Sequence, residues 1–413
     1  VIQWLPFDET VERNMRISMI GTRGVPARYG GFETCVEEVG RRLVQRGHEV
    51  TVYCRKLGGR GPRPERHLGM RLVYLPALRR KTLETLSHTA LSASHAVVRP
   101  PEVAVVFNAA NAPLLPLLRL RGIPTITHVD GLEWKRAKWG PAGSAYYRRA
   151  EALAVRWSDA LIADARGIQD YYRDRFNTET DYIPYGAPVL TEVGTDGITD
   201  LGLSPRRYHL VVARFEPENH VHVAVEGYLR SNARHPLVVV GSAPYADEYT
   251  ASITRAAKGD PRVRLLGAVW DQRLLDQLYG NALTYIHGHS VGGTNPSLLR
   301  AMGAAAPTSA FDVRFNREVL GSFGRYFRDP GDLAALCDAA EADPAGTSLR
   351  GKEQVASLDR YTWDGVAQKY EELAARVLRA DRRTTTPRGL PGARADVSAA
   401  VSMPEKPETK EVR

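Results

Sequence analysis

Short β-branched runs alternate with helical stretches along most of this chain, and that alternation leaves few folds open. Runs at 16–20, 49–54, 71–75, 103–107, 125–128 and 160–163 read as strands, with helical periodicity between them. A turn-like segment at 183–188 and a polar stretch at 191–200 interrupt the pattern, which restarts at 209–213, 237–240, 263–266, 283–287 and 308–311. Strands separated by helices pair in parallel and are covered on both faces. The expected architecture is therefore α/β, with two Rossmann-like domains at 15–190 and 191–358. A length of 413 residues, more than one hydrophobic core usually organises, agrees.

The fold signal begins at Met15. Residues 1–14 form an extension without apolar periodicity, and they have neither the basic nor the apolar region of a secretory signal. A helix is expected over 359–380, with Val366, Tyr370, Leu373, Ala374 and Val377 on one stripe. That stripe suits a helix crossing back to the first domain and equally one covering its own. Residues 381–413 hold few large apolar side chains, too few to offset ordering entropy, and read as a disordered tail.

Cys35, Cys54 and Cys337 are scattered without a CxxC pair, which points to a reducing, cytoplasmic setting and away from structural zinc. The longest apolar run, 103–118, is broken by Asn108, Asn111, Pro113 and Pro116, so no membrane span is expected. A net charge of +9 favours an anionic partner. No nucleic-acid module is visible, which leaves a phosphorylated small substrate or the anionic inner face of the cell membrane.

Four segments carry the chemistry. GTRGVPARYGGFE (21–33) follows the first strand, and Gly30 and Gly31 open a helix whose free N–H groups suit a phosphate. Its spacing is not that of the dinucleotide fingerprint. HVDGLEWKRAKWG (128–140) leaves a strand end, where open α/β sheets place ligands. There His128, Asp130 and Glu133 are the candidate acid–base and hydroxyl-binding groups. Trp134 and Trp139 offer flat faces to a sugar, while Lys135, Arg136 and Lys138 add charge. In VVARFEPEN (211–219), Arg214 is placed to reach a diphosphate with a planar fork, while Glu216 and Glu218 read as helix-start carboxylates. In YIHGHSVGGTNPSLLRAMG (285–303), Asn295 caps a helix with Pro296 at its first position. Asn219, His289, Gly292, Gly293, Thr294 and Arg300 complete the expected donor contacts. No serine-hydrolase order, HExxH, Walker A or EF-hand pattern occurs.

Together these segments resemble glycosyltransferase family 4, and within it the bacterial rhamnosyltransferase-like subgroup of surface polysaccharide assembly. SDALIAD from Ser158, IPYG from Ile183, FDVRFNREVLG from Phe311 and RYTWDGVAQKYEEL from Arg360 extend the resemblance over 15–379. It implies a GT-B fold, two Rossmann-like domains facing across a cleft, with the donor on the second and the acceptor on the first. It implies a retaining transfer without a metal or other cofactor, from a nucleotide-diphosphate sugar to a glycan or lipid-linked acceptor. Two departures stand out. Where the wider family has two glutamates with seven residues between them, this chain has Gly292 and Arg300, and the lysine of the diphosphate pair is Asn219. An arginine has no acceptor lone pair for two ribose hydroxyls, so a dTDP-sugar such as a rhamnose donor is expected. A non-catalytic nucleotide-sugar scaffold and a GT-B epimerase are the competing functions.

Overall fold

The computed structural model describes residues 14–27, 30–56, 63–78, 83–129, 131–136, 139–242 and 247–383. Among them, the strands form two sheets. The first holds β1 (Arg16–Ile20), β2 (Glu49–Arg55), β3 (Arg66–His67), β4 (Met70–Leu75), β5 (Val103–Phe107), β6 (Thr125–Val129), β7 (Ala160–Ala163) and β8 (Asp181–Tyr182). Its order is β3-β4-β2-β1-β5-β6-β7-β8, parallel except where β3 joins β4. The second holds β9 (His209–Val212), β10 (Leu237–Val240), β11 (Val263–Gly267), β12 (Thr284–His287), β13 (Thr308–Phe311) and β14 (Arg325–Phe327), in the order β11-β10-β9-β12-β13-β14.

Both sheets reverse direction once, between β1 and β5 in the first and between β9 and β12 in the second. The crevice beyond the carboxyl ends of those strand pairs is where doubly wound sheets receive ligands. The loops that begin at Gly21, Asn108, Ala213 and Gly288 lie there. Every residue of β5 and β6 is buried, as expected of parallel strands covered on both faces.

The last helix among the described residues, Trp363–Arg383, packs on the first domain. Glu371 binds Arg46 at 2.7 Å and His48 at 2.8 Å, and Tyr370 Oη lies 2.7 Å from His128 Nδ1. All five residues of its apolar stripe are buried in one cluster that continues through Ile183, Tyr185 and Trp363 into the second domain at Leu298 and Met302. The helix crosses the junction because its apolar face is completed by Cys35, Val36 and Val39 of the opposite domain. Asp381 to Arg383 continue this helix and do not belong to the tail, since Asp and Arg extend a helix that packing has already ordered. The rest of the expected tail, 384–413, and all of the extension but Asn14 lie outside the described residues. No helix among the described residues is long and apolar enough to cross a membrane.

Candidate functional site

Glycines let the two domains approach at the expected cleft. A Cβ on Gly131, in the loop after β6, would lie 2.3 Å from Gly292 Cα, a clash that only two bare backbones avoid. Nearby, Thr294 Oγ1 donates to the Asp164 carbonyl at 2.5 Å, and a Cβ on Gly293 would fall 2.0 Å from Asp164 Oδ1. Gly31 stands against Pro296, with a Cβ there 2.9 Å from Pro296 Cγ.

That last contact places two helix starts face to face. Helix Gly31–Gln45 begins after Gly30 with no side-chain cap, and helix Pro296–Gly303 begins at Asn295, whose Oδ1 accepts from Ser297 N at 2.9 Å. Each start carries about half a positive charge from its aligned peptides. Like ends brought together favour an anion between them. The predicted Gly30, Gly31, Gly292, Gly293, Thr294 and Asn295 are thereby brought to one place.

Arg214 stands on the loop after β9 with its side chain 38% exposed, and Nη2 lies 3.4 Å from Glu216 Oε2. Asn219 gives its whole amide to its own loop: Nδ2 donates to the Arg214 carbonyl at 2.8 Å, and Oδ1 lies 2.5 Å from His289 Nδ1. His289 is held well below the ordinary histidine pKa, first by burial and then by His287, Arg136 and Arg214. Asn219 thus positions Arg214 and His289, and as a neutral amide it adds no charge.

Three expected residues are placed otherwise than their sequence context suggests. His128 is fully buried among Phe32, Phe107, Tyr185 and Tyr370. Burial pushes its pKa down to about 3, and Nε2 has no hydrogen-bond partner. It is a neutral imidazole behind the cleft wall. Glu133 pairs with Arg136 at 2.6 Å and accepts from Trp139 Nε1 at 3.3 Å, so it braces its loop. Arg300, expected among the donor contacts, ion-pairs with Asp276 of helix Gln272–Gly280. That carboxylate, on a neighbouring helix 24 residues back in the chain, supplies its counter-charge. Asp130 lies outside the described residues.

Asp164 takes part in the cleft without having been singled out for it, and so does Arg136, expected only to add charge to its loop. Asp164 could have been found by the rule used for the others, since it follows the carboxyl end of β7. Arg136 gives no such signal, because it is one of three basic residues in a short loop. Among the described residues no group of three or more His, Cys, Asp or Glu is arranged to hold a metal ion.

Residues 30–186 match the glycosyl transferase 4-like domain. No curated protein matches the sequence. Among solved structures, Anabaena HepE in complex with UDP superposes with a TM-score of 0.71 at 14% identity, over 88% of this chain and 100% of its own. Sucrose-phosphate synthase from Thermosynechococcus elongatus gives 0.75 at 19%, over 89% and 100%. The α,α-trehalose 6-phosphate synthase from Burkholderia multivorans gives 0.69 at 12%, over 93% and 100%. The chain therefore has the GT-B fold that these glycosyltransferases share, with a first domain that matches the glycosyl transferase 4-like family.

Proposed function

We propose that this chain moves a sugar from a nucleotide-diphosphate sugar to an acceptor hydroxyl, the donor held by the second domain and the acceptor by the first. One observation carries the reading: the starts of helices Gly31–Gln45 and Pro296–Gly303 face each other across the cleft, close to the loop that bears Arg214. A leaving diphosphate is the anion that such a place stabilises. The UDP, and in a further structure the UDP-glucose, bound by Anabaena HepE supports the same class of ligand.

The finer reading is a retaining, metal-independent transfer of a deoxyhexose such as rhamnose, from a dTDP-sugar to a glycan or lipid-linked acceptor. Arg300 supports the base: paired with Asp276, it presents no acceptor to two ribose hydroxyls. Peripheral contact with an anionic membrane is supported by Leu78, Leu83, Leu91 and Val98, all exposed on or just before helix Glu84–Val98. The experiment is product analysis with a panel of nucleotide sugars and lipid-linked acceptors, with and without a chelator. A new glycosidic bond of unchanged anomeric configuration, formed in chelator, is expected.

The absence of carboxylates at Gly292 and Arg300 favours one second reading, a nucleotide-sugar-binding scaffold. Donor binding without any new bond would select it, and an altered free nucleotide sugar would select an epimerase.

A further inference from the structure

The second domain holds a cavity of about 240 Å³ at the end of its sheet that faces away from the cleft. Thr284, Thr308 and Arg325, which line it, are the first residues of β12, β13 and β14, whereas the cleft lies beyond the carboxyl ends of the sheet. Helices Pro330–Ala342 and Pro344–Val355 wall it in, and the second of them contributes Arg350. Two arginines thus share one cavity, and neither has an ion-pair partner among the described residues. Arg350 Nη2 donates to Thr347 Oγ1 at 3.0 Å and Arg325 Nη1 to the Gly324 carbonyl at 3.3 Å, both neutral acceptors. Burial, and then Arg325 itself, lowers the Arg350 pKa from its ordinary value, while Asp343 and Glu353 raise it by less than Arg325 lowers it. The two guanidiniums therefore repel each other across the space. Asp343 also lines the cavity, but its Oδ1 is taken by the backbone N–H of Gly346 at 2.9 Å, as the cap of its helix.

We propose that this cavity binds a phosphate group, free or borne by a small ester, between the Arg325 and Arg350 guanidiniums and apart from the transfer cleft. A phosphate brings nearly two negative charges and three strong acceptor oxygens, enough for two planar forks at once. It turns the repulsion between the arginines into a shared attraction. Ser309 adds a hydroxyl to the lining. At ~30 Å³ of liquid volume per water, the cavity holds about eight waters, which leaves room for a compact polar group beside the phosphate. The site stands whether or not the chain transfers a sugar, because none of its residues belongs to the cleft.

Calorimetry on the full chain with inorganic phosphate, ribose 5-phosphate and ribose tests this. Both phosphates bind and ribose does not. Tighter binding of ribose 5-phosphate identifies an ester as the ligand, and equal binding identifies free phosphate. Arg325→Gln and Arg350→Gln each weaken both phosphates by roughly 10–100-fold, the scale of a charge-assisted bond. Asp343→Asn keeps a helix-capping side chain and removes a repelling charge, so it tightens both several-fold. Arg214→Ala, on the cleft, leaves them as in the wild type. No binding of either phosphate by the wild type at millimolar concentration overturns the proposal. So does binding that both arginine variants leave unchanged, or that Arg214→Ala alone removes, since the phosphate then sits in the cleft. Should Arg350→Gln fail to fold, Arg325→Gln, at an exposed position, and Asp343→Asn decide.

Discussion

Arg214 leaves β9 more than a third exposed, with Glu216 as its ionic partner at 3.4 Å, so it is free to exchange that partner for a ligand. Arg214→Ala should cost about 2 kcal/mol of nucleoside-diphosphate affinity, a charge-assisted contact discounted for solvent screening. Calorimetry that finds no change removes Arg214 from the site. Arg300 calls for a different design, because Arg300→Glu alone would set a new carboxylate against Asp276. The pair Arg300→Glu with Asp276→Asn asks the ribose question without that repulsion. At this scale the sequence tells where a side chain stands better than what it binds. Arg214, His289 and Asn295 follow strand ends or open a helix, and both rules are local. The bonds of Asn219 to His289, of His128 to Tyr370 and of Arg300 to Asp276 join residues 70, 242 and 24 positions apart, and nothing in the neighbouring sequence announces them.

Strands expected from β-branched runs form where expected, with ends shifted by a residue, because burial on both faces of a parallel sheet leaves a continuous apolar signature. The three strands that were not expected, β3, β8 and β14, are two or three residues long and lie on sheet edges. An edge strand buries less and carries mixed residues, so its sequence has no such signature. The last helix was legible as an amphipathic element, while its docking was not, because a stripe records that a face is covered and not by what. Its anchor is Tyr370, whose hydroxyl meets His128 Nδ1 at 2.7 Å and Cys35 Sγ at 3.6 Å. In Tyr370→Phe the shape is kept and the buried imidazole loses its one hydrogen bond. We expect a loss of about 1–3 kcal/mol in urea unfolding, the cost of leaving a buried polar group unsatisfied, with the slope against urea unchanged. Full stability in this variant would mean that His128 finds another partner.

Across the whole molecule, buried histidines set how folding responds to acid. His128 and His287 are pushed down to about 3 by burial. His88 falls to about 4 through burial and the nearby Arg55, and His289 lies well below its ordinary value. An unfolded histidine takes its proton near pH 6.5. Between that pH and the folded values, the unfolded chain binds protons that the folded chain refuses, so stability rises with pH and is lost as pH falls through 6.5. Each such group contributes roughly 1.4 kcal/mol per pH unit in that window. Carboxyls raised by burial act in the opposite sense. Glu151 is pushed up to about 7 by burial, so it holds a proton when folded in this window and favours lower pH, and Glu33 is raised in the same direction. Glu341, lowered to about 2, titrates below the window. His95 and His222 are lowered as well, and His88, His128 and His287, with folded values near 3 to 4, outweigh Glu151 in this window, so a net loss of stability is expected as pH falls from 7 to 5. Denaturant titrations at half-unit steps of pH should show this decline. Replacing His287 by Phe should remove close to one proton from the slope, since no hydrogen bond satisfies its Nε2. A stability that stays flat from pH 7 to 5 would mean that these imidazoles gain protons without unfolding, and the closed packing around His128 and His287 would have to open to admit them.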